Sequence, residues 1–333
     1  MKTRAGRWAS ALWLLAAALW SYWGTAEFFF EAYGVPENPG WPYFVPAAAL
    51  WVLGALALAR PRRGGWLLVA AGFGFTVWWW GAMATRGLFD LRRVLGTAPV
   101  SLALALVGWL WVLEGRAAGP RSARRFWVLA GPPAVALVVA LYYLPYVSGR
   151  APAAPGPWRV TTAEGVLEWA PAGPGWNLRL GARYPSWAEL AAYGRKPVGL
   201  AEKPGPYDPE REGLCAFLDP TGTRLLDEPV HAWRLPTRAE LVASLVRGGR
   251  LAGCSYREGA SRADCTRAPN KEGPLWDPAS PAVYYWTGER TPDGTRAWYV
   301  PYTGGLRYGG AIAAQPLDWG NPRHGYRCVR RVR

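Results

Sequence analysis

The first 149 residues consist of long apolar runs separated by short basic breaks, and this pattern predicts membrane-spanning helices. A helix of about 20 apolar residues is long enough to cross the hydrocarbon core of a bilayer. Five such runs are present, and they cover residues 8–30, 41–59, 66–85, 97–113 and 126–147. We therefore expect residues 1–149 to form an all-α transmembrane bundle of about five helices.

The distribution of tryptophan agrees with this interpretation. Thirteen of the 22 tryptophans lie in residues 1–149, and several of them flank the apolar runs, as Trp8, Trp41, Trp66 and Trp127 do. The amphipathic indole ring prefers the headgroup layer of a bilayer. The lipid bilayer is therefore the first partner that the sequence predicts.

Basic residues at the borders of the runs predict the orientation of the bundle. If the N-terminus is cytoplasmic, the inner loops carry ten Lys or Arg residues and the outer loops carry three. Lys and Arg resist translocation, so the richer side faces the cytoplasm of the cell membrane. Five crossings then place residues 150–333 outside the cytoplasm. Alternatively, the first run is a signal peptide that is cleaved near residues 24–26, which leaves four spans and the same location.

Ionisable residues are rare inside the apolar runs. Glu27 is the acidic residue that lies well inside one of them, and we expect it at the outer interface beside residues 28–30. Buried ionisable groups mark ion and proton paths through membranes. Their scarcity favours an anchor over a transporter and leaves a signalling role open.

Residues 150–333 have the pattern of an α+β domain behind a short linker. Residues 150–157 (RAPAAPGP) predict a semi-rigid, Pro/Ala-rich tether, and the domain covers residues 158–333. Short helices are expected at residues 186–190 and 210–218, and a third follows the capping box Thr237 to Glu240. Alternating apolar and polar positions predict strands at residues 158–162, 165–169, 176–180, 283–287, 297–302 and 326–329. We expect helices first and then a twisted antiparallel sheet.

The net charge of the chain is +15, which raises the question of an anionic partner. Strongly basic proteins bind nucleic acid or anionic lipid. Many of the arginines here lie at membrane borders, where the orientation of the helices accounts for them. Nucleic acid is therefore not an expected partner.

All four cysteines lie in the second half: Cys215, Cys254, Cys265 and Cys328. An even number on the side assigned to an oxidising compartment predicts two disulfides, with three possible pairings. A zinc site is the alternative, but the sequence has no C-x-x-C pair and no finger spacing of histidines. Cys254 and Cys265 bracket a polar loop that needs a clasp, which leaves Cys215 to pair with Cys328.

Several stretches of the second half resemble a bacterial family. They are LC at residues 214–215, GTRL at 222–225, WRLPTRAEL at 233–241, YWTG at 285–288, AWYV at 297–300 and GYRCVR at 325–330. In this order they resemble the motifs of the C-type-lectin-like superfamily. That superfamily includes formylglycine-generating-enzyme-like (sulfatase-modifying-factor) domains and Lcl-type domains of bacterial surface proteins. The resemblance covers residues 210–333 and implies a C-type-lectin-like fold, in which a disulfide such as Cys215–Cys328 commonly ties an early helix to the last strand.

The resemblance leaves activity open, because the fold hosts catalysts, sugar binders and adhesins. Formylglycine-generating enzymes bind copper through a thiolate pair just before the final Tyr-Arg-Cys, whereas residues 318–325 contain no cysteine. Related iron enzymes need more histidines than His231 and His324. The calcium motifs of sugar-binding lectins have only partial echoes at residues 315–321. We therefore predict no catalytic residue, no metal and no cofactor, with a metal-dependent oxidase as the alternative.

What the resemblance implies instead is a ligand face. The residues on the corresponding strands and loops are Trp298, Tyr302, Arg307, Tyr308, Trp319, Asn321, Arg323 and His324. Aromatic rings with Arg and Asn give a large contact area at little entropy cost, which suits a glycan, peptide or protein. We expect a membrane-anchored, extracytoplasmic binding protein. A sensor or transport component with a lectin-like sensing domain is a further alternative.

Overall fold

The computed structural model describes residues 3–85, 91–117, 123–153, 156–162, 165–176, 185–195, 208–301, 311–320 and 323–332. The chain forms two compact units. The helical unit comprises Met1–Phe29 and Gly40–Leu144, and the C-terminal unit comprises Phe30–Pro39 and Pro145–Arg333. The predicted division after residue 149 thus differs from the observed one chiefly in residues 30–39, which belong with the second half of the chain.

Long α-helices occupy the apolar runs of the first half. They are α1 (Arg4–Glu27), α2 (Val45–Ala59), α3 (Pro61–Thr85), α4 (Leu91–Arg116) and α5 (Gly131–Ser148). A π-helical turn (Phe28–Ala32) follows α1, and 3-10 turns (Trp41–Phe44 and Ala123–Ala130) precede α2 and α5. The Thr3 side chain caps α1 by accepting a hydrogen bond from the Gly6 N–H.

Within the described residues, three helical segments are long and apolar enough to cross a membrane. They are Trp41–Ala59, Pro61–Thr85 and Phe126–Ser148. The other two predicted runs also form helices, α1 and α4, and their charged residues lie near the helix ends. The apolar helices indicate membrane association.

Glycine allows helices α3 and α4 to approach closely. A Cβ atom on Gly65 would lie 2.6 Å from the Gly108 carbonyl oxygen, and one on Gly108 would lie 2.5 Å from the Gly65 carbonyl oxygen. Since neither position has room for a side chain, the two backbones are in direct contact. Small residues at helix interfaces are typical of packing in membranes.

The second half contains short strands and two short α-helices. The helices are α6 (Trp187–Ala191) and α7 (Arg238–Ala243), and 3-10 turns lie at Tyr193–Arg195 and Leu214–Phe217. The strands are β1 (Trp158–Thr162), β2 (Gly165–Trp169), β3 (Val246–Arg247), β4 (Arg250–Leu251), β5 (Cys254–Ser255), β6 (Asp264–Cys265), β7 (Tyr284–Arg290), β8 (Arg296–Pro301), β9 (Ala313–Pro316), β10 (His324–Gly325) and β11 (Val329–Val332). This is an α+β unit, as the sequence pattern predicts.

The main sheets bring the two ends of the C-terminal unit together. One sheet has the order β1-β2-β11, so the last strand pairs with the first hairpin, with Val329 opposite Trp169. A second sheet has the order β10-β7-β8-β9. In this sheet β10 runs parallel to β7, while the other neighbours are antiparallel. The expectation of a purely antiparallel sheet is therefore wrong at β10.

Other local expectations also need correction. Strands β1 and β2 precede both short helices, so helices do not come first. The helix expected at residues 210–218 is a turn and the 3-10 segment Leu214–Phe217, because the backbone is extended at Gly213 and again at Leu218. Of the strand expected at residues 176–180, Trp176 forms isolated bridges, and residues 177–180 lie outside the described part.

The segment expected to be a free tether packs against a loop of its own unit. The Arg150 Nε donates to Asn270 Oδ1 over 3.1 Å, and the Ala151 N–H donates to Glu272 Oε2 over 3.0 Å. The Gly273 N–H donates to the Ala151 carbonyl over 2.8 Å. Residues 150–151 are therefore part of the folded unit.

Both expected disulfides are present, Cys215–Cys328 and Cys254–Cys265. The first joins the 3-10 turn Leu214–Phe217 to the residue before β11, and the second joins the opposed residues of β5 and β6. Disulfides persist in oxidising compartments, so the two disulfides are typical of an extracytoplasmic domain.

We predict that the two disulfides stabilise the C-terminal unit unequally, because they close loops of different length. Their sequence separations are 113 and 11 residues. Replacing Cys215 and Cys328 by Ala lowers the free energy of unfolding by about 5 kcal/mol, and replacing Cys254 and Cys265 lowers it by about 3 kcal/mol. Urea titration of the full chain in detergent, followed by tryptophan fluorescence, measures both losses. Equal losses, or a larger loss for the shorter loop, would contradict the loop-length explanation.

Candidate functional site

The structure places the described members of the predicted ligand face in different environments. Trp298 is half-buried in β8, with the Arg238 guanidinium 4.8 Å from its ring centroid. Trp319 is exposed at 46% on the loop after β9. The other described members are Arg323 and His324. The remaining members, Tyr302, Arg307, Tyr308 and Asn321, lie outside the described residues.

His324 is a core residue, which corrects its assignment to the surface. Its side chain is 2% exposed and stacks on Trp286, with ring centroids 4.7 Å apart. Tyr284 and Tyr299 enclose the ring from other directions, at 5.1 and 5.4 Å. Burial lowers the pKa of His324 to about 4, so the ring is neutral at physiological pH. A ligand at the surface cannot reach this side chain in the folded unit.

Arg323 is held by a carboxylate from the first half of the chain. Its Nε lies 2.9 Å from Glu31 Oε2, and both side chains are about 15% exposed. Glu31 lies in the Phe30–Pro39 segment of the same unit. The Arg323 backbone carbonyl also accepts hydrogen bonds from the N–H groups of Val283 and Tyr284. Arg323 therefore positions this loop, in addition to any role in binding.

A different surface has the shape of a binding site. A groove of about 800 Å³ lies along an extended segment, residues 231–237, and is completed by residues 209–211, 288–289 and 329–331. Its charged lining consists of Glu210, Arg211, Arg234, Glu289, Arg330 and Arg331. Four guanidinium groups thus line the groove beside two carboxylates, and we call it the basic groove.

Backbone bonds hold the extended segment in place. Arg234 and Val329 exchange two hydrogen bonds, of 3.0 and 2.8 Å, which attach the segment to β11. The Gly288 N–H donates to the Pro236 carbonyl over 2.8 Å. The segment ends at Thr237, whose hydroxyl accepts from the Glu240 N–H in the capping box of α7.

His231 starts this segment in a strained conformation. Among the described residues other than glycine, it alone has a left-handed backbone, with φ at 53°. The N–H groups of Val230 and His231 both donate to the Ala216 carbonyl, which fixes the bend. Strain of this kind costs about 1–3 kcal/mol and is often found at functional sites.

Two buried carboxylates contact three of the four arginines of the basic groove. Glu240 is 4% exposed and accepts from both Nη atoms of Arg234, at 2.6 and 2.7 Å, while the Arg331 Nε lies 3.8 Å away. Glu168 is 3% exposed and accepts from the Arg159 Nε at 2.9 Å and from Arg330. Each carboxylate therefore serves two guanidinium groups.

These contacts lower the pKa of both carboxyl groups. Burial raises the pKa of Glu240, but the hydrogen bonds from Arg234 and Thr237 and the charges of Arg234 and Arg331 outweigh it. For Glu168, burial is likewise outweighed by Arg159 and Arg330. Both groups are therefore ionised at neutral pH and hold the arginines in place.

Arg330 also covers the aromatic ring of the groove. Its guanidinium lies 4.2 Å from the Trp233 ring centroid, and it donates to the Pro220 carbonyl over 2.7 Å. The Trp233 side chain is only 2% exposed, and its Nε1 donates to the Asp219 carbonyl. The ring therefore supports Arg330 and is not itself a contact surface.

Sequence reasoning did not identify this groove. The WRLPT and RCVR strings carried the family resemblance, but nothing local shows that they lie side by side. One indication was available: residues 327–333 (RCVRRVR) include four arginines, and such a cluster is typical of a surface that binds anions. The bridge between Arg234 and Val329 places Arg330 and Arg331 beside residues 231–237, and together they line the groove.

Metal-binding side chains do not cluster in the described part of the chain. No group of three or more His, Cys, Asp or Glu residues there is arranged to hold a metal ion. All four cysteines are in disulfides, so they offer no thiolate.

We predict that Glu240 links the stability of the C-terminal unit to pH. A carboxyl group whose pKa is lower in the folded than in the unfolded state stabilises the fold above the unfolded pKa, and this contribution disappears as the pH falls through the folded pKa. Glu240→Gln keeps the shape but removes the charge that Arg234 needs. It should lower the free energy of unfolding at neutral pH by about 3 kcal/mol.

The loss of stability on acidification below about pH 4.5 should also be shallower in Glu240→Gln than in the parent chain. Urea titration over a pH series measures both effects, with Glu258→Gln as a matched control because Glu258 is exposed. Identical pH dependence in the parent chain and Glu240→Gln would show that Glu240 is not the linked group.

Comparisons with known proteins provide no relative for this chain. No protein-family model matches it, and neither a curated protein nor a solved structure matches it. Its membership of the C-type-lectin-like superfamily therefore stays a prediction from the motifs. The function has to be inferred from the geometry of the site.

Proposed function

We propose that this chain is a membrane-anchored binding protein whose C-terminal unit, of C-type-lectin-like fold, is held outside the cytoplasm by about five helices of the cell membrane. The observation that carries the proposal is the basic groove. Three of its four arginines contact buried carboxylates, so a ligand would meet a largely ordered surface and lose little side-chain entropy on binding. An ordered groove without catalytic groups fits a binding role.

The order of the motifs and the disulfide pattern support the proposed fold. Cys215 and Cys328 join an early helical turn to the end of the chain, as the resemblance implies. The proposed orientation, with a cytoplasmic N-terminus, follows from the excess of Lys and Arg in the inner loops. In this orientation the disulfides lie in an oxidising compartment, where they persist.

The oxidase alternative finds little support in the side chains that are present. A copper site needs thiolates, and the four cysteines are engaged in disulfides. An iron site of the histidine type would draw on His231 and His324, but His324 is enclosed in the core. A binding role accounts for the same residues and needs no metal-coordinating side chains.

A sensor is a second candidate, and one contact favours it. Residues 30–39 begin within the π-helical turn that continues α1, yet they belong to the C-terminal unit, in which Glu31 contacts Arg323. Binding that moves the Arg323 loop would act on a segment covalently continuous with α1. This route makes signalling through the membrane a reasonable extension of a binding role.

The location of the C-terminal unit can be tested through its cysteines. We expect a membrane-impermeant maleimide, added to intact cells, to label no cysteine until an impermeant phosphine reductant is added. The half-buried Cys254 and Cys265 are then labelled, whereas the buried Cys328 requires urea as well. The Cys254→Ala, Cys265→Ala double variant is the control and should lose the first labelling. Labelling that appears only after cell lysis, and without reductant, would place the unit in the cytoplasm.

Binding can be tested directly on the full chain in detergent with four polymers: poly-L-glutamate, poly-L-lysine, polygalacturonate and dextran. We expect at least one of them to bind in the presence of EDTA, because the groove needs no metal. The Arg211→Ala, Arg331→Ala double variant should weaken that binding without changing the circular dichroism spectrum. Failure of all four polymers to bind would count against a binding role for the groove.

A further inference from the structure

We propose that the basic groove binds an acidic stretch of polypeptide in extended conformation. This inference rests on the proposed function and specifies its ligand. It follows from three properties of the groove: its charge, its shape and its exposed chemistry.

The charge of the groove favours carboxylates. Arg211, Arg234, Arg330 and Arg331 line it, against the carboxylates of Glu210 and Glu289. Glu289 already accepts hydrogen bonds from the backbone N–H and the guanidinium of Arg238. The Nη atoms of Arg234 and Arg330 already bond protein acceptors, so the exposed Arg211 and Arg331 are the groups that face a ligand carboxylate. The planar fork of a guanidinium matches a carboxylate with two parallel hydrogen bonds, and such charge-assisted bonds are among the strong ones.

Three of the four groove arginines contact a buried carboxylate before any ligand arrives. The Glu240 carboxylate has guanidinium nitrogens of Arg234 and Arg331 within 4 Å, and Glu168 has those of Arg159 and Arg330. One negative charge thus positions two positive ones in each case. The local charge remains positive while the side chains stay fixed, which is the arrangement that an incoming anion requires.

The shape of the groove favours an extended chain. The groove follows residues 231–237. After the left-handed bend at His231, the backbone forms a β-bridge at Arg234 and is extended at Thr237, and four residues of extended backbone span about 13 Å. Within the described part of the chain, the bridge between Arg234 and Val329 is the one strand pairing that this segment makes. The Pro236 carbonyl and the Thr237 N–H are also bonded, to Gly288 and Glu240, so an added peptide strand would pair at residues 232, 233 and 235. Strand addition of this kind is a common mode of peptide recognition.

The exposed chemistry favours a peptide over a glycan. A sugar ring packs best on a flat apolar face such as an aromatic ring. Among the described lining residues the aromatic side chain is that of Trp233, which is 2% exposed and covered by Arg330. The half-buried Pro209 supplies a small apolar contact between the charges, and such a contact suits a peptide side chain.

The test compares two polymers that carry the same carboxylate on different backbones. Poly-L-glutamate and polygalacturonate are titrated into the full chain in detergent, with EDTA present and at rising salt. We expect poly-L-glutamate to bind at least about tenfold more tightly, and its affinity to fall as salt screens the charges. Tighter binding of polygalacturonate, or equal affinities, would overturn the assignment to polypeptide.

Two groove variants and one control locate the binding. Arg211 and Arg331 are exposed, and Arg331→Gln adds no negative charge beside Glu240. Arg211→Glu and Arg331→Gln should therefore leave the fold intact, and each should weaken poly-L-glutamate binding about fivefold or more. Arg250→Glu, an exposed charge reversal outside the groove, should change the affinity less than about twofold. Equal losses in all three variants would show a nonspecific charge effect and overturn the proposal.

The two proposals fail in different ways. If neither acidic polymer binds, the inference of an acidic polypeptide ligand is overturned. If poly-L-lysine or dextran binds in that case, the binding role survives with another ligand. If none of the four polymers binds, the proposed function falls together with the inference.

Discussion

The buried guanidinium of Arg327 is the constraint on which the C-terminal unit depends. It is fully buried, and a charged group removed from water is tolerated only where hydrogen bonds and favourable contacts surround it. Its Nε and Nη2 donate to the Ala170 carbonyl at 3.3 and 3.2 Å, and Trp176 lies beneath it, 4.2 Å from the ring centroid. Trp169 and Trp276 complete an aromatic enclosure. Because these partners come from separate parts of the chain, one side chain fixes where they meet.

The same segment connects the core to the basic groove. Tyr326 and Cys328 face one hydrophobic cluster and Val329 faces the other, while Arg330 and Arg331 lie along the groove. A strand that is anchored by a disulfide and by Arg327 gives its outer residues fixed positions. Glu168 and Glu240 then orient their guanidinium groups. The stable core thus keeps the surface arginines in fixed positions, and this favours a binding role.

Sequence patterns predicted the features that depend on neighbouring residues. The apolar runs became helices, the Thr237 capping box starts α7, and Cys254 pairs with Cys265 across a short loop, which left Cys215 to pair with Cys328. Features that depend on distant residues were missed. His324 is polar in sequence but is buried because β10 packs beside β7, and Arg323 meets Glu31 from the other half of the chain. The groove could not be predicted for the same reason, because the bridge between Arg234 and Val329 joins residues that are far apart in the sequence.

Hydrogen–deuterium exchange of the full chain in detergent, with and without an excess of poly-L-glutamate, would show whether the basic groove binds an acidic polypeptide. If the basic groove binds the ligand as an added strand, amide exchange should slow in residues 231–237 and 329–331, while the exposed loop at residues 317–320 should exchange as before. Protection confined to residues 311–320, or no protection anywhere in the C-terminal unit, would contradict the assignment of this groove as the binding site.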